Sequence, residues 1–202
     1  MIITVAHTKG GVGKSTLAWN LAHSFRELEK KVTIIDLDFQ QTLYFLNIMS
    51  GDKLTVLQPQ SVSELLEVAL TKADDTEVFI IDVGGFDSDI NRAAVDIAHK
   101  VLIPISESIT EVLGFKTFEG ILEHMLLESI DHRVILNNIH PLTKNFNAIK
   151  AALGGNYKLM RSKVRSRKIY KTTLGQGKSV FDTRDERAKQ EIREVRDELI
   201  RT

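Results

Sequence analysis

The chain has 202 residues, 43% of them hydrophobic, with 27 basic and 27 acidic residues, a formal net charge of zero and no cysteine. That length suits one well-buried core and is short for two, so a single domain over residues 1–202 is expected. The missing cysteines exclude disulfides and thiolate metal sites, and no signal peptide or apolar run of transmembrane length is present, which together fit a cytoplasmic enzyme.

The first predicted element is a strand near residues 2–6, the apolar run Ile2-Ile3-Thr4-Val5-Ala6. Because that strand begins at once, no helix-turn-helix domain is expected ahead of it. Directly after it comes Lys9-Gly10-Gly11-Val12-Gly13-Lys14-Ser15-Thr16. Glycines at this spacing let the backbone turn tightly and bring successive N–H groups up to an anion. The helix that follows adds its unpaired amides and the positive end of its dipole. Lys14 can reach β- and γ-phosphate oxygens, and the Ser15 hydroxyl is placed to hold Mg²⁺. These eight residues, between an apparent strand and an apparent helix, read as a phosphate-binding loop. The helix is predicted over 15–29, with Leu17, Leu21, Phe25 and Leu28 at helical spacing.

A second strand is predicted over 32–36. Its β-branched run ends in Asp36 and Asp38, two residues apart and therefore on one face of an extended chain. A helix near 62–72 precedes a third strand over 78–82, which ends in Asp82 followed by Val83-Gly84-Gly85. An apolar strand ending in aspartate suits Mg²⁺ held directly or through water, with the glycines leaving room for a γ-phosphate. Beyond it the pattern predicts a helix over 90–99, a strand over 101–105, a helix over 115–129, a strand over 133–137 and a helix over 144–153. This alternation implies an α/β fold, a single doubly wound, mostly parallel sheet with helices on both faces and its ligand at the carboxyl ends of the strands.

From Lys158 to Lys171 the chain has seven basic residues (Lys158, Arg161, Lys163, Arg165, Arg167, Lys168, Lys171) and no acidic one. Such a run is suited to phosphate backbones and, with no base-reading module nearby, to DNA without sequence preference. A last helix is predicted over 185–200, with Ala188, Ile192, Val195 and Leu199 at helical spacing. Its acidic and basic residues are evenly mixed and it lacks aromatic anchors, so it reads as packing on the sheet and not as a membrane-surface helix.

Lys9 has no role in an ordinary phosphate-binding loop, and with it the segment resembles the deviant Walker A motif of the ParA/MinD group of P-loop ATPases. The resemblance implies that Lys9 crosses a homodimer interface to the ATP of the partner subunit. Asp36-Leu37-Asp38-Phe39-Gln40 resembles the group's DxDxQ segment, which implies that Asp38 orients or deprotonates the attacking water and Asp36 supports the metal. Phe39 stands where the group usually has proline. The strand ending in Asp82 resembles Walker B, and the segment around Pro104 resembles a strand-loop near the dimer interface, with Ser108 in place of an expected proline. Val134–Asn138 resembles the segment that reads adenine, so Asn137 is either a base contact or a turn-capping asparagine. Gly177-Lys178-Ser179-Val180-Phe181 and the last helix resemble the end of the small plasmid-partition ATPases typified by ParF.

The family resemblance therefore implies a Mg²⁺-dependent ATPase that forms a sandwich homodimer with ATP. It implies nonspecific DNA binding through Arg161, Lys163, Arg165, Arg167, Lys168 and Lys171, and hence association with the nucleoid. A centromere-binding, ParB- or ParG-like partner would stimulate hydrolysis, and no membrane association is expected. The alternatives are an ATPase that positions a protein cargo, a MinD-like membrane-cycling regulator, or a P-loop kinase or synthetase acting on a small molecule.

Overall fold

The computed structural model describes residues 1–71, 77–85, 88–124, 130–153 and 157–201. Strands β1 (Ile2–Val5), β2 (Lys31–Leu37), β3 (Thr55–Leu57), β4 (Glu77–Val83), β5 (Lys100–Ile105), β6 (Asp131–Ile139) and β7 (Lys158–Arg165) form one sheet in the order β3-β2-β4-β1-β5-β6-β7. Every pairing is parallel. The connecting helices are α1 (Lys14–Arg26), α2 (Thr42–Met49), α3 (Val62–Thr71), α4 (Asp89–Asp96), α5 (Ile109–His124), α6 (Asn147–Leu153), α7 (Lys168–Leu174) and α8 (Glu186–Ile200).

The central strands are buried on both faces, which is why they read as continuous apolar runs. Alternate residues feed two cores. Ile3, Val5, Ile34, Ile80, Leu102 and Ile135 pack against α1 and α8. Ile2, Ile35, Phe79, Ile81, Val101 and Ile103 pack against α3, α4 and α5 on the other face. The doubly wound expectation is met, and the strand order reverses beside β1, so the phosphate-binding loop that follows β1 lies at the switch point.

The five expected strands and six expected helices are present, with shifts at the ends. The helix expected over 15–29 ends at Arg26, the one expected from 144 begins at Asn147, and α5 starts at Ile109, six residues ahead of the expected 115. The end of that expected helix, at 125–129, lies outside the described residues. Four elements were not expected. In α2, Leu43 and Leu46 are buried while Tyr44, Phe45, Ile48 and Met49 face outward, so no polar face marked the helix. β3 is only a short edge strand. β7 and α7 lie inside the basic stretch, whose charges hide the alternation of buried Met160, Ser162 and Val164.

α8 packs as expected. Ala188, Ile192, Val195 and Leu199 enter the core shared with α1, and the buried Arg196 guanidinium donates to the Ser24 carbonyl of α1 at 2.7 Å. Where the β6–β7 register shifts between Val134 and Leu136, the amides of Arg161 and Ser162 both donate to the Glu198 carboxylate of α8, at 2.8 Å each. Further along, the Arg165 amide donates to Glu191 at 3.1 Å.

Candidate nucleotide-binding site

The loop from Lys9 to Gly13 turns through Gly11 (φ 79°) and Gly13 (φ 88°), a left-handed backbone that disfavours any residue with a Cβ. Gly13 is doubly constrained, because a Cβ there would sit 2.6 Å from Nδ2 of Asn137. It caps α1 without a side-chain acceptor. The first amides of α1, including those of Ser15 and Thr16, are therefore left to face an anion.

The two loop lysines part company. Lys14 is buried, and its Nζ donates to the Lys9 carbonyl at 3.2 Å. Burial lowers its pKa, and the carboxylates of Asp82 and Asp38 oppose that shift. The Lys9 ammonium instead turns outward to α5, donating to Thr110 Oγ1 at 2.6 Å. Thr110 in turn shares a 2.8 Å hydrogen bond with Ser108, the residue standing in place of an expected proline.

Three carboxylates converge at the ends of β2 and β4. Asp36 and Asp82 are register partners. Asp82 is fully buried, and among the described residues neither of its oxygens has a partner in hydrogen-bonding geometry. Burial pushes its pKa up to about 7; the nearby Ser15 hydroxyl and Lys14 pull it down, and Asp36 and Asp38 add to the rise. A buried carboxylate without a donor, beside a hydroxyl at a phosphate loop, is the donor set that a hard divalent cation takes. Ser15 and Asp82 thus fit Mg²⁺. Asp36, expected to support the metal, instead has both oxygens occupied by backbone amides, those of Asp38 at 3.2 Å and Tyr44 at 3.0 Å. Its carboxylate ties the first turn of α2 to β2, because the end of β2 turns straight into that helix.

Asp38 is half-buried, with one oxygen accepting from the Gln40 amide at 2.9 Å. Gly84 lies against it: a Cβ there would come within 3.0 Å of Asp38 Cα and 3.1 Å of its carboxylate. Asp36 and Asp38 open onto a cavity lined also by Gln58, Gln60 and Asn91. Asn137 sits at the end of β6, buried, with Nδ2 donating to the Val12 carbonyl at 2.8 Å. Beside its two sequence readings, the structure shows Asn137 as a brace under the phosphate loop.

The basic stretch is divided. Lys158 pairs with Asp131 at 3.1 Å, and Arg167 makes a forked pair with Glu191, the shortest contact 2.6 Å. Arg165 donates to the carbonyls of His140 and Thr143 and lies over the Phe146 ring. Arg167, expected at DNA, is thus paired with Glu191, its side chain 24% exposed. Among the described residues Arg161, Lys163, Lys168 and Lys171 have no carboxylate partner, and Arg161, Lys168 and Lys171 are exposed.

His7 was not singled out by sequence. It is buried, its Nδ1 accepts the Lys9 amide at 2.9 Å, and it stacks on Phe118 of α5. Nothing local in the sequence marks it, because the residues that pack on its ring, Phe118 and Gly114, lie over a hundred positions on. Gly114, ahead of the helix expected from 115, falls inside α5, where a glycine permits a close approach.

Comparison with known proteins agrees with this geometry. The CobQ/CobB/MinD/ParA nucleotide binding domain model matches residues 3–180. Over 161 residues the chain is 27% identical to Protein ParA of Rhizobium radiobacter, covering 75% of this chain and 72% of that protein. The MinD cell division protein of Aquifex aeolicus superposes with a TM-score of 0.78 at 20% identity, over 99% of this chain and 96% of that one. A putative plasmid partition protein of Borrelia burgdorferi bound to AMPPNP superposes with a TM-score of 0.76 at 18% identity, covering 98% of each chain. The chain belongs to the CobQ/CobB/MinD/ParA nucleotide-binding family, P-loop ATPases of the ParA/MinD type whose cofactors are ATP and Mg²⁺.

Proposed function

We propose that this ATPase positions DNA by the ParA scheme, most directly by segregating a low-copy plasmid. ATP stabilises a sandwich homodimer, the dimer binds DNA without sequence preference, and a centromere-binding partner speeds hydrolysis and release. The observation that carries the reading is the divergence of the two loop lysines. Lys14 serves its own phosphate cradle, whereas Lys9 is held outside it on Thr110, where it is available to a nucleotide on a second copy.

In this mechanism the loop amides and Lys14 bind the phosphates, and Ser15 and Asp82 hold Mg²⁺. A Mg²⁺ held there would neutralise developing charge on the nucleotide's phosphates. Asp38 orients the attacking water and takes up its proton, with Gly84 leaving the space its carboxylate needs. Catalysis is then mainly positioning and electrostatics, as phosphoryl transfer generally is. For DNA the exposed cations Arg161, Lys168 and Lys171 carry the contact, with Lys163 and Arg165 beside Arg161 on β7. The similarity to Protein ParA is compatible with plasmid partition. The apolar face of α8 is occupied by α1 and the sheet, which leaves no free amphipathic face there for a membrane-cycling role.

The test is sedimentation with ADP and with ATP, followed by a salt titration of the ATP form on two unrelated duplexes. A dimer only with ATP, equal affinity for both duplexes and a log–log salt slope of about −0.9 per phosphate contact are expected. An ATP-bound monomer overturns the sandwich reading. Failure to bind either duplex overturns the DNA reading.

A further inference from the structure

We infer that His7 and Gly114 are positioning residues for Lys9, fixing the backbone from which its ammonium leaves its own phosphate cradle. The inference rests on the reading that Lys9 acts on the nucleotide of a second copy. A lysine has four rotatable side-chain bonds, so it can serve a distant site only if its Cα is held firmly. Here both peptide groups flanking Lys9 are fixed, the amide by His7 Nδ1 at 2.9 Å and the carbonyl by Lys14 Nζ at 3.2 Å.

His7 is in turn seated against α5. Its ring stacks on Phe118, with centroids 6.2 Å apart and planes 25° from parallel. The neighbouring Thr8 hydroxyl donates to the Gly114 carbonyl at 3.1 Å. A Cβ on Gly114 would come 3.2 Å from His7 Cε1 and 3.5 Å from Lys9 Cβ, so any side chain there would crowd His7 by a few tenths of an ångström. His7, Thr8 and Lys9 therefore each have a contact with α5, whose first turn also supplies Thr110. Burial, with the charges of Lys14 and Lys9, holds the His7 pKa down to about 4. The ring is then neutral near pH 7, and the bond from the Lys9 amide assigns its proton to Nε2.

The test compares His7→Ala, His7→Asn and Lys9→Ala, because an asparagine Oδ1 stands close to where His7 Nδ1 accepts. Three quantities are read: ADP affinity of the monomer, the protein concentration at which ATP drives dimerisation, and kcat. For His7→Ala, ADP affinity should stay within about threefold of wild type while the dimerisation midpoint rises and kcat falls, each about tenfold or more. His7→Asn should restore both to within about threefold. Normal dimerisation by His7→Ala, no rescue by His7→Asn, or a parallel loss of ADP affinity would each overturn the inference. If His7→Ala does not fold, Gly114→Val tests the same contact by pushing α5 off His7 and Lys9, and normal dimerisation by it overturns the inference. The Lys9→Ala control separates the two layers. If it dimerises normally, the reading of Lys9 in trans fails and this inference with it. If it is defective while His7→Ala is normal, only this inference fails.

Discussion

Asp36 and Asp82 face each other across the β2–β4 register, yet they are in opposite situations. Asp36 is satisfied by two backbone amides, whereas Asp82, buried to a greater degree, has no partner in hydrogen-bonding geometry among the described residues. The pair therefore divides its work, one carboxylate holding the start of α2 and the other left for the proposed Mg²⁺.

This division predicts the behaviour of Asp82→Asn. Mg²⁺-dependent ATP affinity should fall about tenfold or more, equivalent to roughly 1.4 kcal/mol, because the amide cannot supply the anionic ligand. The pH dependence follows from a folded pKa raised from 3.8 to about 7. Over that window the folded protein keeps a proton that the unfolded chain has shed, so wild type loses stability as pH rises. Without Mg²⁺, the melting temperature of Asp82→Asn should gain on wild type from about pH 4 to about pH 7. A constant difference across a scanning-calorimetry pH series would count against the raised pKa.

Gly84→Ala should act on chemistry and spare binding. Its Cβ would push against Asp38 Cα and carboxylate, displacing the proposed water-orienting group without touching the phosphate loop. Hydrolysis is expected to fall by about one to four orders of magnitude, the scale for a positioned acid–base group, with ATP affinity little changed. Single-turnover rates and equilibrium titration separate the two, and an unchanged rate would move the water-orienting role away from Asp38.

Asn137→Ala removes the only brace described from β6 to the phosphate loop. The buried Val12 carbonyl would lose its donor, at a cost of about 1–3 kcal/mol. Both ADP and ATP should bind more weakly, by about tenfold, because the loop loses its fixed shape before any nucleotide arrives. If adenine recognition were instead the main role, ATP and GTP would converge in affinity in this variant while the melting temperature stayed put.

His23 lies in the core beside Trp19, their rings edge to face at 4.8 Å. Burial lowers its pKa from 6.5 to about 4. As pH falls through that window the unfolded chain takes up a proton that the folded protein refuses, so stability is present above about pH 6.5 and is lost toward pH 4. Relative to His23→Gln, wild type should lose melting temperature across this range; parallel curves would refute it.

Arg167→Ala and the double variant Lys168→Ala with Lys171→Ala should separate folding from DNA binding. Glu191 holds Arg167, the Arg165 amide and the Tyr170 hydroxyl together, so losing Arg167 should cost about 1–3 kcal/mol of stability. The double variant should keep its melting temperature, surface changes costing roughly 0.5 kcal/mol or less. It should lose DNA affinity, with a shallower salt slope. The reverse pattern would place the DNA surface elsewhere.

Much of the site was readable from the chain because local geometry dictates it. Gly11 and Gly13 need left-handed backbone, Lys14 and Ser15 follow at fixed spacing, and Asp82 follows the apolar run Val78-Phe79-Ile80-Ile81 near the end of its strand. What was not readable depends on partners remote in sequence. Asn137 and Val12 are 125 positions apart, and whether Asp36 meets a metal or α2 depends on a helix with no polar face to announce it. The run from Lys158 to Lys171 looked like one cationic surface because side-chain charge says nothing of Asp131 and Glu191, which fold against it.

The carboxylates of α8 have one more effect. An outermost strand normally presents spare amides on which another polypeptide can build a further strand. At β7 the amides of Arg161, Ser162 and Arg165 are already bound to Glu198 and Glu191. At those three positions this border of the sheet is closed to strand addition, and Glu198→Ala should free the Arg161 and Ser162 amides to take a further strand, read as a rise in aggregation.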